Sequence, residues 1–347
     1  MKIDKLSDIP FFFILGRPRS GTTLLASLFD AHPNVMLPFE CPLIINLYRK
    51  YYKKKHWDKK SLLEFYADVV DQRKFESWRV DSEKLKNDLL ACEGEAGFED
   101  LIKVVYLNFN SFFPKKDILL FGDKNPVYSI YPKQLLKIFP DAKFIHLSRD
   151  YRDNILSIKK VDFEAPITAL LAYRWRFATK RMLCAEQKYP KKFYKIKYED
   201  LVSNPSEELK KICYFLGIPY KKDVLEFHKK KDELFENFDR EHIERYHSSL
   251  LRPITNDKIY AWKKNMKPAD IKIADKVVGV CGEKAGYERK NKKPTLPGLL
   301  SLVWINYGWL AYLLRFLVDI LPFKLKMISR NKGPLLAVMF NKYILKK

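Results

Sequence analysis

Ile9-Pro10-Phe11-Phe12-Phe13-Ile14-Leu15-Gly16-Arg17-Pro18-Arg19-Ser20-Gly21-Thr22-Thr23 is the stretch that decides the fold. Its run up to Leu15 is apolar without interruption, the pattern of a strand buried on both faces. Leu24, Leu25, Leu28 and Phe29 then recur at helical spacing. A strand, a tight loop and a helix open a βαβ unit. Gly16 and Gly21 stand at the spacing of the phosphate loop G-x-x-x-x-G-K-[ST], and Thr23 takes its Ser/Thr position. Thr22 occupies the place of the lysine. The glycines and the helix N-terminus therefore keep an anion cradle, while the cation that reaches β- and γ-phosphates is missing. The loop suits an anion without a γ-phosphate, with Arg17 and Arg19 supplying charge from within it.

Outward from this loop the alternation continues. Ile118 to Phe121, Lys143 to Leu147 and Phe193 to Tyr198 are further strand candidates. Helical spacing covers about 150–160 and 167–189. Asn204-Pro205-Ser206-Glu207 starts another helix, with an N-cap Asn and Pro at the first position, ending near Gly217. The expected class is α/β: a P-loop-like central parallel sheet with helices on both faces. Residues 45–115 form a helical, charged insertion in an otherwise continuous domain of residues 1–290.

Composition changes near Lys290. Residues 290–347 hold 11 Lys or Arg and one acid, Asp319, which is +10 of the chain's +23. The excess cation implies an anionic partner without naming it. Leu296 to Phe323 is apolar and carries Trp304, Tyr307, Trp309 and Tyr312, but Arg315 and Asp319 interrupt it and Pro297 and Pro322 flank it. The extension 291–347 is therefore helical, and it spans a membrane, lies in the membrane interface, or packs as a lid or dimer surface. No C-x-x-C pair or zinc spacing joins Cys41, Cys92, Cys184, Cys213 and Cys281, which suit a reducing compartment. Ile9 to Leu15 is too short for a signal peptide and leads straight into Gly16.

Pro18-Arg19-Ser20-Gly21-Thr22-Thr23 after an apolar strand resembles the 5′-phosphosulfate motif of sulfotransferases that use 3′-phosphoadenosine-5′-phosphosulfate. Phe144-Ile145-His146-Leu147-Ser148-Arg149-Asp150-Tyr151-Arg152-Asp153, with Ser157, is similar to the family's 3′-phosphate motif. Tyr198-Glu199-Asp200-Leu201 and Trp262-Lys263-Lys264 resemble two later segments, in family order. The layout is nearest to the tyrosylprotein and bacterial branch. This resemblance implies that Arg17, Arg19, Ser20, Gly21, Thr22 and Thr23 hold the 5′-phosphosulfate. It implies that Arg149 and Ser157 hold the 3′-phosphate, with Tyr198 and Lys263 beside the nucleotide, and that Ser248 or Ser249 adds a hydroxyl. His32-Pro33-Asn34-Val35 followed by Glu40 is similar to that branch's catalytic-Glu segment, making Glu40 the general base. Gly122-Asp123-Lys124-Asn125-Pro126 resembles the turn whose lysine stabilises the bridging oxygen, making Lys124 catalytic alongside Arg19. The co-substrate is 3′-phosphoadenosine-5′-phosphosulfate, and no metal is called for.

Taken singly, Arg149 can also be read as a surface ion-pair partner and Glu40 as a solvated loop acid, while Tyr198 reads first as a core residue. His146 is a packed, satisfied histidine and His32 a turn residue. The constellation outweighs these readings. Ile118 to Asp123 also mimics an apolar run ending in a magnesium-binding Asp, so a P-loop kinase or NTPase stays open, as does a non-catalytic membrane-surface protein. Pro42 stands where the tyrosylprotein branch carries a substrate-binding Arg, which puts protein tyrosine in doubt. The acceptor is a hydroxyl: a glycan, a glycolipid, a sterol-like or other alcohol, with the insertion carrying part of its site. No nucleic-acid module is recognisable. A cytoplasmic enzyme, peripheral at the inner face of a membrane, is expected, its oligomeric state open.

Overall fold

The computed structural model describes residues 6–161, 163–230, 253–292 and 298–343, the last ten of these as backbone. In chain order the elements are β1 (Phe11–Leu15), α1 (Thr22–Asp30), β2 (Val35–Met36), α2 (Leu43–Tyr51), β3 (His56–Trp57), α3 (Lys59–Val70), α4 (Ser82–Leu90), β4 (Gly94–Glu95), α5 (Phe98–Leu107), β5 (Leu120–Asp123), α6 (Pro132–Ile138), β6 (Lys143–Ser148), α7 (Tyr151–Ile158), α8 (Thr168–Lys188), β7 (Phe193–Lys197), α9 (Tyr198–Ser203), α10 (Pro205–Leu216), α11 (Trp262–Asn265), α12 (Pro268–Val278), α13 (Val280–Lys284), α14 (Leu299–Val318) and α15 (Phe323–Tyr343). Described residues within 1–15, 21–147 and 185–255 form one compact unit. Those within 16–20, 148–184 and 256–347 form the other.

The first unit is built on a five-stranded sheet in the order β2-β5-β1-β6-β7. β1 sits at its centre, parallel to β5 on one side and β6 on the other. All five residues of β1 are buried, because a central parallel strand is covered on both faces. Its alternation fills both layers. Phe11 and Phe13 meet Phe139 at 4.6 and 5.3 Å between ring centroids, and Phe12 meets Phe29 of α1 at 5.0 Å. The insertion is helical as expected, with α2–α5 around the short β3–β4 ribbon. α3 starts on a capping box between Asp58 and Ser61.

Three local expectations change. β5 begins at Leu120 rather than Ile118 and runs through Asp123. Tyr198 opens α9 instead of closing a strand. Asn204 holds the N-cap position of α10, but its side chain makes no cap bond; its carbonyl accepts from Glu208 N–H instead.

The second unit has a core of Tyr151, Trp175, Trp262, Ile271, Val278 and Tyr287, drawn from α7, α8, α11, α12 and the turn after α13. Trp304 and Ile305 of α14 pack on it. α14 lies along α8. A Cβ on Gly308 would stand 2.7 Å from the Tyr173 ring, so only glycine permits that approach.

Candidate active site

Parallel sheets present ligand-binding loops at the carboxyl ends of their strands. Here Gly16 directly follows β1, Lys124 follows β5, Arg149 follows β6, and Glu40 lies four residues past β2.

Within the first unit, α1 begins at Thr22 with Gly21 as its cap and no acid in its first turn. Its free N–H groups and dipole favour an anion. Gly21 has φ 90°, and a Cβ there would lie 2.3 Å from Cδ2 of the Tyr198 ring. Tyr198 thus forms the wall under the loop's last glycine. Gly21→Ala is expected to cost roughly 1–2 kcal/mol from left-handed backbone alone, plus the collision with Tyr198. Chemical denaturation measures the sum, and adding Tyr198→Ala should recover the collision part only.

Lys124 and Glu40 meet in the same unit. The Lys124 ammonium donates to Glu40 Oε1 and lies 3.3 Å from Thr23 Oγ1. Lys124 is buried, while Glu40 stays partly open, its side chain 29% exposed. A second cation, Lys74, reaches Glu40 Oε2 at 3.1 Å from the insertion. The segments are clamped together: Trp78 Nε1–H donates to Phe39 O at 2.9 Å, and the Cys41 thiol to Arg73 O at 3.7 Å. Burial by itself would raise the Glu40 pKa; Lys124 and Lys74 overcome that and hold it at about 2. Beside it, burial pushes the Asp123 carboxyl up to about 7. Its two oxygens accept from the Tyr106 hydroxyl and the Asn125 amide. Asp123 thereby braces Tyr106 and Asn125 beneath the Lys124 turn. Among the described residues no cluster of His, Cys, Asp and Glu could hold a metal ion.

The second unit gathers Arg19, Ser157 and Arg149. Arg19 takes a positive φ of 67° and is exposed; its Nε–H donates to Ser157 Oγ at 3.1 Å. Arg149 donates to Arg19 O at 3.1 Å and to Lys258 O at 2.8 Å, while Trp175 Nε1–H donates to Arg149 O. Asn154 of α7 fastens the loop by donating to Pro18 O and Ser20 Oγ at 2.8 and 3.1 Å. Ser20 is consequently buried and occupied within the loop.

Arg17 departs from its expected role. It is buried and forms a bidentate pair with Glu164 at 2.9 and 3.0 Å, and Arg174 shares that carboxylate at 3.2 Å. Its charge is spent on an internal partner, so it braces the loop rather than meeting the anion. Lys263 likewise stands apart: its ammonium lies over the Tyr260 ring at 4.7 Å. The neighbouring Trp262 does the packing, with Arg152 3.7 Å from its ring centroid and its backbone N–H donating to Asp153 Oδ1 at 2.8 Å. His146 is fully buried with Nδ1 3.3 Å from Glu186, but its Nε2 has no partner among the described residues; it is only half satisfied. His32 is buried as well, its Nε2 2.8 Å from Pro219 O and its Nδ1 accepting from Asn34 N–H. Ser248 and Ser249 lie outside the described residues.

The anion-favouring start of α1 and the Lys124–Glu40 pair beside Thr23 belong to the first unit, and the Arg19–Ser157–Arg149 cluster to the second. The chain belongs to the sulfotransferase family, whose model matches residues 10–222. It is 26% identical over 282 residues to protein-tyrosine sulfotransferase A of Caenorhabditis elegans, covering 77% of this chain and 64% of that protein. With protein-tyrosine sulfotransferase 1 of Danio rerio it shares 26% identity over 292 residues, covering 83% of this chain and 75% of the relative. The match thus spans about two thirds to three quarters of these relatives' length. The fold is that of the sulfotransferase domain from the Synechococcus PCC 7002 olefin synthase, at TM-score 0.53, 23% identity, and coverage of 80% of this chain and 95% of that one.

Proposed function

We propose that this enzyme moves a sulfuryl group from 3′-phosphoadenosine-5′-phosphosulfate to an acceptor hydroxyl. The placing of the Lys124 ammonium between Thr23 and Glu40 carries this reading. Arg19 and the N–H groups at Gly21–Thr23 hold the 5′-phosphosulfate. Arg149 and Ser157 hold the 3′-phosphate, with Arg19 bonded to Ser157 inside the same unit. The acceptor O–H gives its proton to Glu40, its oxygen bonds to sulfur, and the sulfur–bridging-oxygen bond breaks. Lys124 offsets the charge that appears on that bridging oxygen, which leaves with adenosine 3′,5′-bisphosphate.

Glu40 is a weak base while both lysines hold it. Engagement of Lys124 with the leaving oxygen relieves one of them and raises its proton affinity. The acceptor is a glycan, a glycolipid or another lipid-like alcohol, met at the cytoplasmic face of a membrane. The free thiols and the apolar face of α14 support that place. Protein tyrosine is the second reading, favoured by the names of the relatives. Against it stands Pro42, with Lys74 as the nearby cation instead.

Calorimetry should show adenosine 3′,5′-bisphosphate binding without magnesium. Arg149→Ala should weaken it about 10- to 100-fold, the loss of one or two charge-assisted hydrogen bonds. Binding of ATP with magnesium and indifference to the bisphosphate would sink the proposal. A labelled-sulfate screen over lipid, glycan and tyrosyl-peptide acceptors then decides between the two readings.

A further inference from the structure

α14 is apolar on nearly all sides, but its two faces have different surroundings. Ser301, the pair Trp304 and Ile305, Gly308, Tyr312 and Phe316 recur at helical spacing on the packed side. Gly308 abuts Leu170 and Tyr173; Tyr312 stacks on Phe177 at 4.2 Å; Phe316 meets Phe177 and, at 5.1 Å, the Arg181 guanidinium. The contacts climb both helices together, so α14 runs parallel to α8 along this length.

The opposite side is exposed, with none of the described residues covering it. Leu302, Val303, Trp309, Leu310, Leu314 and Leu317 are all exposed, Trp309 by 54% and Leu314 by 53%. The stripe continues past Pro322 into Leu325 and Ile328. An apolar strip of this length on a water-soluble surface marks an interaction site. Its edges are cationic. Lys292, Lys324 and Lys332 are exposed, whereas Asp319, the only acid of residues 290–347, is buried and paired with Arg330. A second copy of the chain docked here would bring two such basic segments together. A bilayer with anionic headgroups complements both the apolar stripe and its rim.

We propose that the exposed stripe of α14 and the start of α15 is a one-sided membrane-docking face, on which α14 lies parallel to an anionic bilayer without crossing it. The 20 residues of α14 are long enough to span. Spanning, however, would carry α8 and its Arg181 into hydrocarbon alongside it, which is costly for an ionised side chain. This inference rests on the membrane-face part of the reading above and specifies which surface serves it.

The full-length protein should float with phosphatidylcholine vesicles containing phosphatidylglycerol, less with phosphatidylcholine alone, and less as salt rises. The triple variant Leu302→Glu, Leu310→Glu, Leu314→Glu should lose flotation about tenfold or more, with adenosine 3′,5′-bisphosphate binding unchanged because all three side chains face water. Trp309 stands at the middle of α14. Lipids brominated near the headgroup end of their chains should quench it more than lipids brominated near the chain terminus. The reverse depth order would mean a spanning helix and overturn the proposal. So would absent flotation, or a dimer in light scattering that the triple variant turns into a monomer. If flotation succeeds while no nucleotide binds, the sulfuryl-transfer reading fails and the docking face stands.

Discussion

Lys124→Ala is expected to lower kcat about 10²–10³-fold, the usual loss when one preorganised charge stabiliser is removed. Nucleotide affinity should change far less, because the Arg19–Ser157–Arg149 cluster does not include Lys124. The size of the effect follows from position. Lys124 comes directly after β5, the strand beside central β1, is buried, and has Thr23 and Glu40 as partners. Its ammonium is therefore placed before any ligand arrives, and no side-chain ordering is left for the transition state. Lys124→Arg keeps the charge but replaces a compact ammonium with a wide planar fork. It should recover little of the loss. Single-turnover kinetics separate this from a binding defect: a fall in the bimolecular binding step with an unchanged transfer rate would contradict the role given to Lys124.

Much of this arrangement was legible because it is local. The run Phe11–Leu15 demands burial on both faces, and that alone places β1 in mid-sheet. The spacing Gly16 to Gly21 requires a turn of one size before a helix, and Gly21 does adopt the left-handed backbone. Ser157 lies on α7, eight residues past Arg149, and both are brought to Arg19. What escaped was non-local pairing. Arg17 looks like an anion ligand until Glu164 is seen beside it, 147 residues away in sequence. Lys74 belongs to no motif, yet it faces Glu40 across 34 residues. Helical, charged composition in the insertion showed that lysines would be present, not which one would turn inward. Lys263 shows the converse: a motif position can be right for its tryptophan while the adjacent cation points elsewhere.

Glu40→Gln should bind adenosine 3′,5′-bisphosphate as the native protein does while turning over about 10²–10⁴-fold more slowly, the range for removing a general base. The amide keeps the shape and its one carbonyl oxygen can accept from one of the two lysines, which bond different oxygens of Glu40, but it cannot take a proton. Normal turnover in this variant would remove Glu40 from the base's role. The pH behaviour adds a sharper test. Burial raises the Glu40 pKa and the two lysines more than reverse that, to about 2 against an ordinary 4.5. A carboxyl depressed on folding stabilises the native state fully above its unfolded value, and that stability is lost as pH falls through about 4.5 and then about 2. The stability difference between native protein and Glu40→Gln should therefore shrink over that window and be flat above it. Activity follows the same sign. With both lysines present, Glu40 stays ionised and contributes no acid limb at mildly acidic pH. Lys74→Ala removes one of the charges that depress it, leaving burial to act against a single cation. Its kcat/KM profile should show an acid limb displaced upward in pH. Because a carboxylate released from one lysine is also the stronger base, that variant separates the two functions of the pair: the cations keep Glu40 ionised, and only their withdrawal makes it basic.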